Sequence, residues 1–232
     1  MNMAKGERKE LLKLFEGLRV ADVRDGMDWN MMHGYGSMSY DMRPLFRTRV
    51  VGIARTVRYL PYEGPVPKMK PEEYTEWVKW YYGNVCTYPW MEDIQPGDFI
   101  VIDQSGVNAG LMGSNNGLYG FRKGARGYVI EGGVRDTDEL ILQKVPVWSR
   151  FVSQAMVQGR LRYDARDIPV RVGGVVVNPG DIVVADGDGV IVVPRNKAYD
   201  VAKYARQELN NDKVGRRKLY ESLGWEPDDT VK

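Results

Sequence analysis

A short segment in the second half of the chain combines glycines, a guanidinium group and carboxylates. It runs from Gly132 to Glu139 and follows the apolar stretch Tyr128–Ile130, whose residues predict a strand. The two glycines that open the segment let the backbone turn sharply and approach a ligand closely. Arg135 can donate two parallel hydrogen bonds to a substrate carboxylate or to an enolate oxygen.

The carboxylates of this segment allow two interpretations. Asp136 begins a predicted helix and Glu139 follows three residues later, so both lie on one helix face. Two carboxylates beside an arginine suit a hard divalent cation such as Mg²⁺ or Mn²⁺. The same two residues also suit a helix cap, in which Asp136 accepts hydrogen bonds from backbone amides and Glu139 completes a capping box.

Two further glycine-rich segments are weaker candidates. The segment from Gly110 to Gly117 predicts a turn whose amides could bind an anion, but it matches neither the P-loop nor the dinucleotide-binding spacing. The segment from Asp186 to Gly189 begins like a calcium loop. Apolar residues follow it at Val190–Val193, so we predict a tight hairpin turn there.

The chain has one cysteine, Cys86, and one histidine, His33. An intramolecular disulfide and a zinc site built on several cysteines or histidines are therefore excluded. We interpret Cys86 as a small buried hydrophobic residue and His33 as a polar loop residue, with a substrate contact as the less favoured role. A Ser-His-Asp triad would have to use His33. Acid–base chemistry then falls to carboxylates, Lys, Tyr or metal-bound water.

The overall composition is that of a globular protein. Of 232 residues, 43% are hydrophobic and 28% charged, and the net charge is +2, which predicts no binding to nucleic acid or to an anionic membrane. No apolar stretch approaches the roughly 20 residues of a membrane helix. The polar N-terminus does not have the pattern of a signal peptide, so the expected location is the cytoplasm.

Helical and strand periodicities alternate along the chain and predict an α/β fold with mixed sheets. Four prolines between Pro61 and Pro71 mark an inserted segment of about residues 61–92 that contains a helix, and residues 211–232 form a C-terminal extension. No linker divides residues 1–232, so we predict a single domain. The predicted helices cover 7–18, 20–28 (with Asp22 as a possible N-cap), 72–82, 136–142 and 198–210. The predicted strands cover 49–60, 99–103, 126–131, 145–147, 175–177, 182–184 and 190–193.

The order of these motifs resembles the RraA-like proteins and the class II (HMG/CHA-type) pyruvate aldolases. The resemblance covers roughly residues 95–195, with weaker similarity at 20–28 and 52–57. The matching motifs are Gly113 followed by Arg135-Asp136 and Glu139, the turn and strand Pro96–Asp103, the strand Val145–Trp148, and the hairpin Val177–Pro194.

This resemblance implies a β/β/α swivelling-type sandwich, preceded by N-terminal helices, that assembles as a trimer or hexamer with active sites between subunits. The apolar hairpins from Val175 to Val193 also favour an oligomer, because so apolar a surface is rarely left exposed.

The resemblance also implies residue roles. Arg135 would bind a 2-oxo acid, helped by the turn Gly113, Ser114, Asn115 and Asn116. Asp136 would ligate Mg²⁺ or Mn²⁺, Glu139 would hold metal-bound waters, and a metal-activated water would serve as acid and base. The reaction would be retro-aldol cleavage of a 4-hydroxy-2-oxo acid to pyruvate, or oxaloacetate decarboxylation. This chain has Ser114 where the family usually has Asp or Glu.

Another role within the same resemblance is non-catalytic. Some RraA-like proteins bind and inhibit an RNA-degrading ribonuclease, although those chains are shorter. An older family label, menaquinone methyltransferase, has no support here, because the nucleotide-binding glycine pattern is absent from the sequence.

Overall fold

A computed structural model describes residues 3–232; Met1 and Asn2, which open the polar N-terminus, lie outside it. The helices are α1 (Lys5–Phe15), α2 (Val20–Trp29), α3 (Pro71–Asn84), α4 (Ser114–Lys123), α5 (Thr137–Leu142) and α6 (Ala198–Leu223). The strands are β1 (Arg43–Pro44), β2 (Val50–Pro61), β3 (Asp98–Asp103), β4 (Gly110–Met112), β5 (Gly127–Val134), β6 (Val147–Val152), β7 (Leu161–Arg166), β8 (Val170–Val172), β9 (Val175–Val177), β10 (Ile182–Asp186) and β11 (Gly189–Val193).

Nine of these strands form one mixed sheet in the order β1-β6-β5-β3-β2-β10-β11, with β4 beside β5 and β7 beside β2. The central strands β2, β3, β5 and β6 are parallel to their neighbours within that group. The outer strands β1, β10 and β11 pair antiparallel. Strands β8 and β9 form a separate hairpin. The predicted α/β fold with mixed sheets is confirmed.

Alternating side chains of the parallel strands divide the core between the two faces of the sheet. On one face, Ile100 and Ile102 of β3 pack in a cluster that includes buried residues of the inserted segment. On the other face, Phe99 and Val101 pack with Trp148 and with valines of β8 and β9. Because both faces are covered, the strands consist of continuous apolar runs, as is typical of a buried parallel sheet.

Helices α1, α2 and α6 form a layer over β10 and β11. Ile182 and Val184 of β10 and Ile191 and Val193 of β11 are fully buried against these helices. The apolar hairpin β10–β11 is therefore covered within the chain, by N-terminal and C-terminal helices that are distant from it in sequence. Its apolarity gives no support to an oligomer, and the trimer or hexamer stays a prediction.

The inserted segment contains the predicted helix, α3, and it docks by hydrogen bonds from buried aromatic side chains. The Tyr81 hydroxyl donates to the Leu161 carbonyl over 2.8 Å, and the Trp90 indole donates to the Tyr59 hydroxyl over 2.8 Å. Cys86 is fully buried in the same cluster, as predicted. Of the tryptophans in this segment, Trp90 is buried, whereas Trp80 is about half exposed.

Several local predictions need correction. Residues 114–123 form helix α4 and not a turn, because Gly117 and Gly120 are tolerated where α4 packs closely on Leu140 and Tyr128. Asp22 is not the N-cap of α2; it lies at the third helical position and accepts from the Arg19 amide over 2.8 Å. Strand β7 was missed because every second residue of it is charged.

Helix α6 is longer than predicted and continues to Leu223. The chain then folds back on α6, and the carbonyl of the buried Val231 accepts a hydrogen bond of 2.5 Å from Arg217. None of the helices between residues 3 and 232 combines the length and apolarity that a bilayer crossing requires.

Candidate active site

The sheet brings the segment from Gly110 to Gly117 next to the segment from Gly132 to Glu139. Strands β4 and β5 are parallel neighbours, with Gly110 opposite Gly133 and Met112 opposite Val134. The residues that follow the two strands therefore leave the sheet side by side. The Arg135 amide donates to the Met112 carbonyl over 2.9 Å, which fixes this register at its end.

Close approach of the two segments requires glycine on β4 and directly after it. A Cβ atom at position 110 would lie 2.7 Å from Cγ and Cδ of Arg135. A Cβ atom at position 113 would overlap Oδ2 of Asp136. The aliphatic stem of Arg135 thus lies over Gly110, and the carboxylate of Asp136 lies over Gly113.

Asp136 has the left-handed conformation, with φ 55° and ψ 42°, at the N-cap position of α5. Its side chain makes no capping hydrogen bond to α5. Oδ2 instead accepts from the Ser114 amide over 3.2 Å and from the Ser114 hydroxyl over 3.4 Å. The capping interpretation of Asp136 is therefore wrong, because its carboxylate faces the start of a different helix. Residues other than glycine in this conformation are uncommon and often lie at functional sites.

Arg135 stands beside this carboxylate. Its Nε lies 3.4 Å from Oδ1 of Asp136, and the side chains of Arg135 and Asp136 are 37% and 35% exposed, respectively. The long contact and the exposure leave the terminal guanidinium nitrogens available to solvent or a ligand. The guanidinium group thus remains able to bind an anion.

The first turn of α4 lies against Asp136. Ser114, Asn115 and Asn116 are its first three residues, and the first-turn amides of a helix have no acceptor within the helix. The Asn116 side chain donates to the Leu111 carbonyl over 3.3 Å, whereas Asn115 is exposed. A helix start beside an arginine is a favourable place for a carboxylate oxygen.

Glu139 lies on the first turn of α5 and is exposed. Within residues 3–232, no hydrogen bond or ion pair involves its carboxylate. The structure therefore brings together Gly113, Ser114, Arg135 and Asp136, while Glu139 stays at the rim of this group.

These residues fit a divalent ion that is held mainly by water. Among the residues described, no group of three or more His, Cys, Asp or Glu side chains could hold a metal ion. A site built from protein ligands alone is thereby not formed within one chain. Mg²⁺ usually keeps several waters and needs only one or two carboxylates from the protein, and Mn²⁺ prefers the same oxygen ligands. The partly exposed Asp136 carboxylate would be one such ligand.

Two polar residues that sequence reasoning missed help to position the site. Gln104 is fully buried and donates to the Val107 and Ala109 carbonyls over 2.9 and 2.6 Å, which holds the loop before β4. The Ser153 amide donates to the Val134 carbonyl over 2.8 Å, which extends the ladder beside Arg135. In the sequence, the one feature that could have indicated Gln104 is its position directly after strand β3.

His33 has no part in this group of side chains. Its imidazole is 69% exposed and lies 3.1 Å from the Asp28 carboxylate, in the loop after α2.

Comparison with known proteins identifies the family of the chain. Residues 20–192 match the model of a family described as RraA-like, Aldolase/RraA. The chain belongs to the RraA-like family. The matched range includes the group from Gly113 to Glu139.

Individual RraA-like relatives carry two kinds of name. A Halalkalibacterium halodurans protein, provisionally named 4-hydroxy-4-methyl-2-oxoglutarate aldolase, is 24% identical over 92% of this chain and 90% of its own. A Thermus thermophilus protein named 4-hydroxy-4-methyl-2-oxoglutarate aldolase is 32% identical over 45% of this chain and 63% of its own. Among solved structures, RraAS2 of Streptomyces coelicolor is described as an unusual member of the RNase ES inhibitor RraA family. It has a TM-score of 0.70 and 28% identity, covering 93% of this chain and 98% of its own.

Proposed function

We propose that this protein is a divalent-metal-dependent lyase that cleaves a 4-hydroxy-2-oxo acid to pyruvate or decarboxylates oxaloacetate. The observation that carries the proposal is the placement of Arg135 and Asp136 against Gly113 and Ser114 at the ends of β4 and β5. The aldolase names of two relatives support the same reaction class.

Arg135 and the first turn of α4 bind the substrate in this proposal. The carboxylate of the 2-oxo acid accepts from the amides of Asn115 and Asn116, while the guanidinium group of Arg135 donates to the 2-oxo oxygen. Cleavage of the bond between C3 and C4 leaves an electron pair on C3, which delocalises onto the 2-oxo oxygen as an enolate. A fixed cation beside that oxygen stabilises the charge as it develops, which lowers the barrier.

The proton balance of the retro-aldol reaction is simple. The 4-hydroxyl group loses a proton and becomes the carbonyl of the first product, and C3 gains a proton to give the methyl group of pyruvate. Asp136 would hold Mg²⁺ or Mn²⁺, and Glu139 would hold waters around the ion. When bound, the ion supplies a Lewis acid for the 2-oxo group and lowers the pKa of water.

Pyruvate release from 4-hydroxy-4-methyl-2-oxoglutarate, and separately from oxaloacetate, tests the proposal. The protein is stripped with EDTA, and Mg²⁺ or Mn²⁺ is then added back. We expect turnover to be lost on chelation and restored by the ion. Full activity in metal-free protein would refute metal dependence, and no pyruvate from either substrate with both ions would refute the lyase.

A second candidate function is a non-catalytic regulator that binds an RNA-degrading ribonuclease. The likeness to RraAS2 of Streptomyces coelicolor favours it, because that likeness extends over nearly the whole of both chains. Binding to a purified RNase E-type ribonuclease, measured together with inhibition of RNA cleavage, discriminates the two. Inhibition without pyruvate release supports the regulator, and pyruvate release without inhibition supports the lyase.

A further inference from the structure

A cleft of about 710 Å³ lies beside α1, at the opposite end of the sheet from Arg135. Its walls come from α1, from the turn that precedes β3, and from Arg126, which precedes β5. Strand β5 has eight residues between Arg126 and Arg135, so the two arginines are roughly 25–30 Å apart. The cleft is therefore separate from the candidate active site.

The rim of this cleft is cationic. Lys5, Lys9 and Arg126 are exposed, and none of the three forms an ion pair with any residue between 3 and 232. No acidic residue lines the cleft. Since the whole chain has a net charge of only +2, this is a local concentration of positive charge.

The acidic residues of α1 are directed elsewhere. The Glu7 carboxylate pairs with Arg195, at the other side of α1, and the Glu10 carboxylate lies beside the Tyr199 hydroxyl, whose pKa it raises. These two carboxylates therefore do not pair with Lys5 or Lys9, and Glu16, just after α1, lies with Lys9 and Arg126 at an adjoining hollow. Exposed surface lysines alone would be unremarkable, because most are simply solvated.

A buried guanidinium group in the wall is the second, independent observation. Arg8 is only 6% exposed; its Nε donates to the Pro96 carbonyl over 3.0 Å, and its Nη2 pairs with the buried Asp98. Its Nη1 is buried and has no hydrogen-bond partner among the residues described. A buried donor of this kind is destabilising until an oxygen accepts from it.

The floor of the cleft is apolar, since Leu12 and Pro96 also line it. The volume falls within the range of about 300–1,000 Å³ that is usual for small-molecule sites. We propose that this cleft binds a small organic anion with two or more negative charges, such as a diphosphate ester. The charged group lies between Lys5, Lys9 and Arg126, next to the guanidinium group of Arg8, and the organic part covers Leu12.

Calorimetric titration with pyrophosphate, at low ionic strength and with EDTA present, tests the charged part of the site. We expect saturable binding with one ligand per chain. Lys5→Gln/Lys9→Gln should weaken it at least tenfold, whereas Lys68→Gln/Lys79→Gln, which removes the same charge from the inserted segment, should not. Arg8 is left unchanged because its bond to Asp98 is part of the buried structure.

The variant Arg135→Gln separates this cleft from the candidate active site. We expect it to bind pyrophosphate as tightly as the unchanged protein does, whether or not the lyase proposal holds. Loss of binding in Arg135→Gln, equal affinity in the two lysine double variants, or no saturable binding at millimolar pyrophosphate would each overturn the proposal. Binding of heparin alone, without pyrophosphate, would also overturn it, because that indicates a surface for long polyanions.

Discussion

At the scale of single residues, we expect Arg135 and Asp136 to have separable roles. Arg135→Lys keeps the positive charge but loses the planar pair of donors, so turnover should fall about 100-fold while metal affinity barely changes. Asp136→Asn should first weaken metal binding, by about 10–100-fold, and recover part of its activity at high metal concentration. Titrating Mg²⁺ or Mn²⁺ into both variants while following pyruvate release measures the two effects.

The structure supplies a control for Asp136→Asn. A capping role predicts that Asp136→Asn is silent, because asparagine caps a helix as well as aspartate does. Asparagine also tolerates the left-handed conformation observed at position 136, so the variant should stay folded. If neither variant alters metal affinity or turnover, the assignment of the site is wrong.

Ser114 offers a second test at the residue scale. Its hydroxyl lies 3.4 Å from Oδ2 of Asp136, so Ser114→Asp would place two carboxylates side by side. Without metal their repulsion should lower the melting temperature, and a bound cation should reverse this, with about tenfold tighter Mg²⁺ binding. Thermal melts with and without Mg²⁺ measure both effects. Ser114→Asn introduces a neutral side chain of the same size as aspartate, so it should show neither the lower melting temperature nor the tighter Mg²⁺ binding.

At the scale of elements, the contact of α2 with α6 depends on Gly26. A Cβ atom there would lie 2.5 Å from the Val201 carbonyl and 2.9 Å from Cβ of Ala205, both on α6. Gly26→Ala should therefore force the helices apart and lower the free energy of unfolding by about 1–3 kcal/mol in a urea titration.

Gly83 in α3 is the matched control for Gly26, because an added Cβ atom there meets no atom within 4 Å. Gly83→Ala should raise the free energy of unfolding by about 0.5–1 kcal/mol through better helix propensity. Equal effects of the two substitutions would contradict the close helix contact.

The docking of the inserted segment can be followed through Cys86. Burial raises the pKa of its thiol to about 12, opposed by a hydrogen bond with Tyr88. At pH 8 only about one such thiol in ten thousand is ionised, and the thiolate is the reactive form. Iodoacetamide should modify Cys86 rapidly in urea and very slowly in the native protein. Rapid native alkylation at pH 8 would show that the segment opens readily.

At the scale of the whole molecule, assembly is the open prediction. The resemblance implies a trimer or hexamer, and residues such as Leu142, 84% exposed, and Phe121, 45% exposed, leave apolar surface on α5 and α4. Light scattering at micromolar concentration should give a mass of three or six chains of 26.4 kDa. A monomer would contradict the prediction and would leave any site that needs a second subunit incomplete.

The sequence by itself determined the local features of this protein. Apolar runs such as Phe99–Asp103 and Ile182–Val184 predicted strands, and prolines marked the inserted segment, because backbone preference and side-chain alternation are properties of neighbouring residues. The order of motifs around Arg135 and Asp136 predicted the RraA-like family. Among the larger elements of residues 3–232, helix α4 and strand β7 were missed, since glycines and charges obscured their patterns.

The tertiary structure alone decided what the motif residues contact. The residue types of this segment fit both a helix cap and a metal ligand, so the sequence could not show that Asp136 faces Ser114, 22 residues away in the chain. That contact arises from the parallel pairing of β4 with β5 and from the lack of a side chain at Gly113. The cationic cleft beside α1 has the same origin. It exists because β3 and β5 are parallel, so that the turn before β3 and Arg126 before β5 both meet a helix about 90 or more residues earlier in the chain.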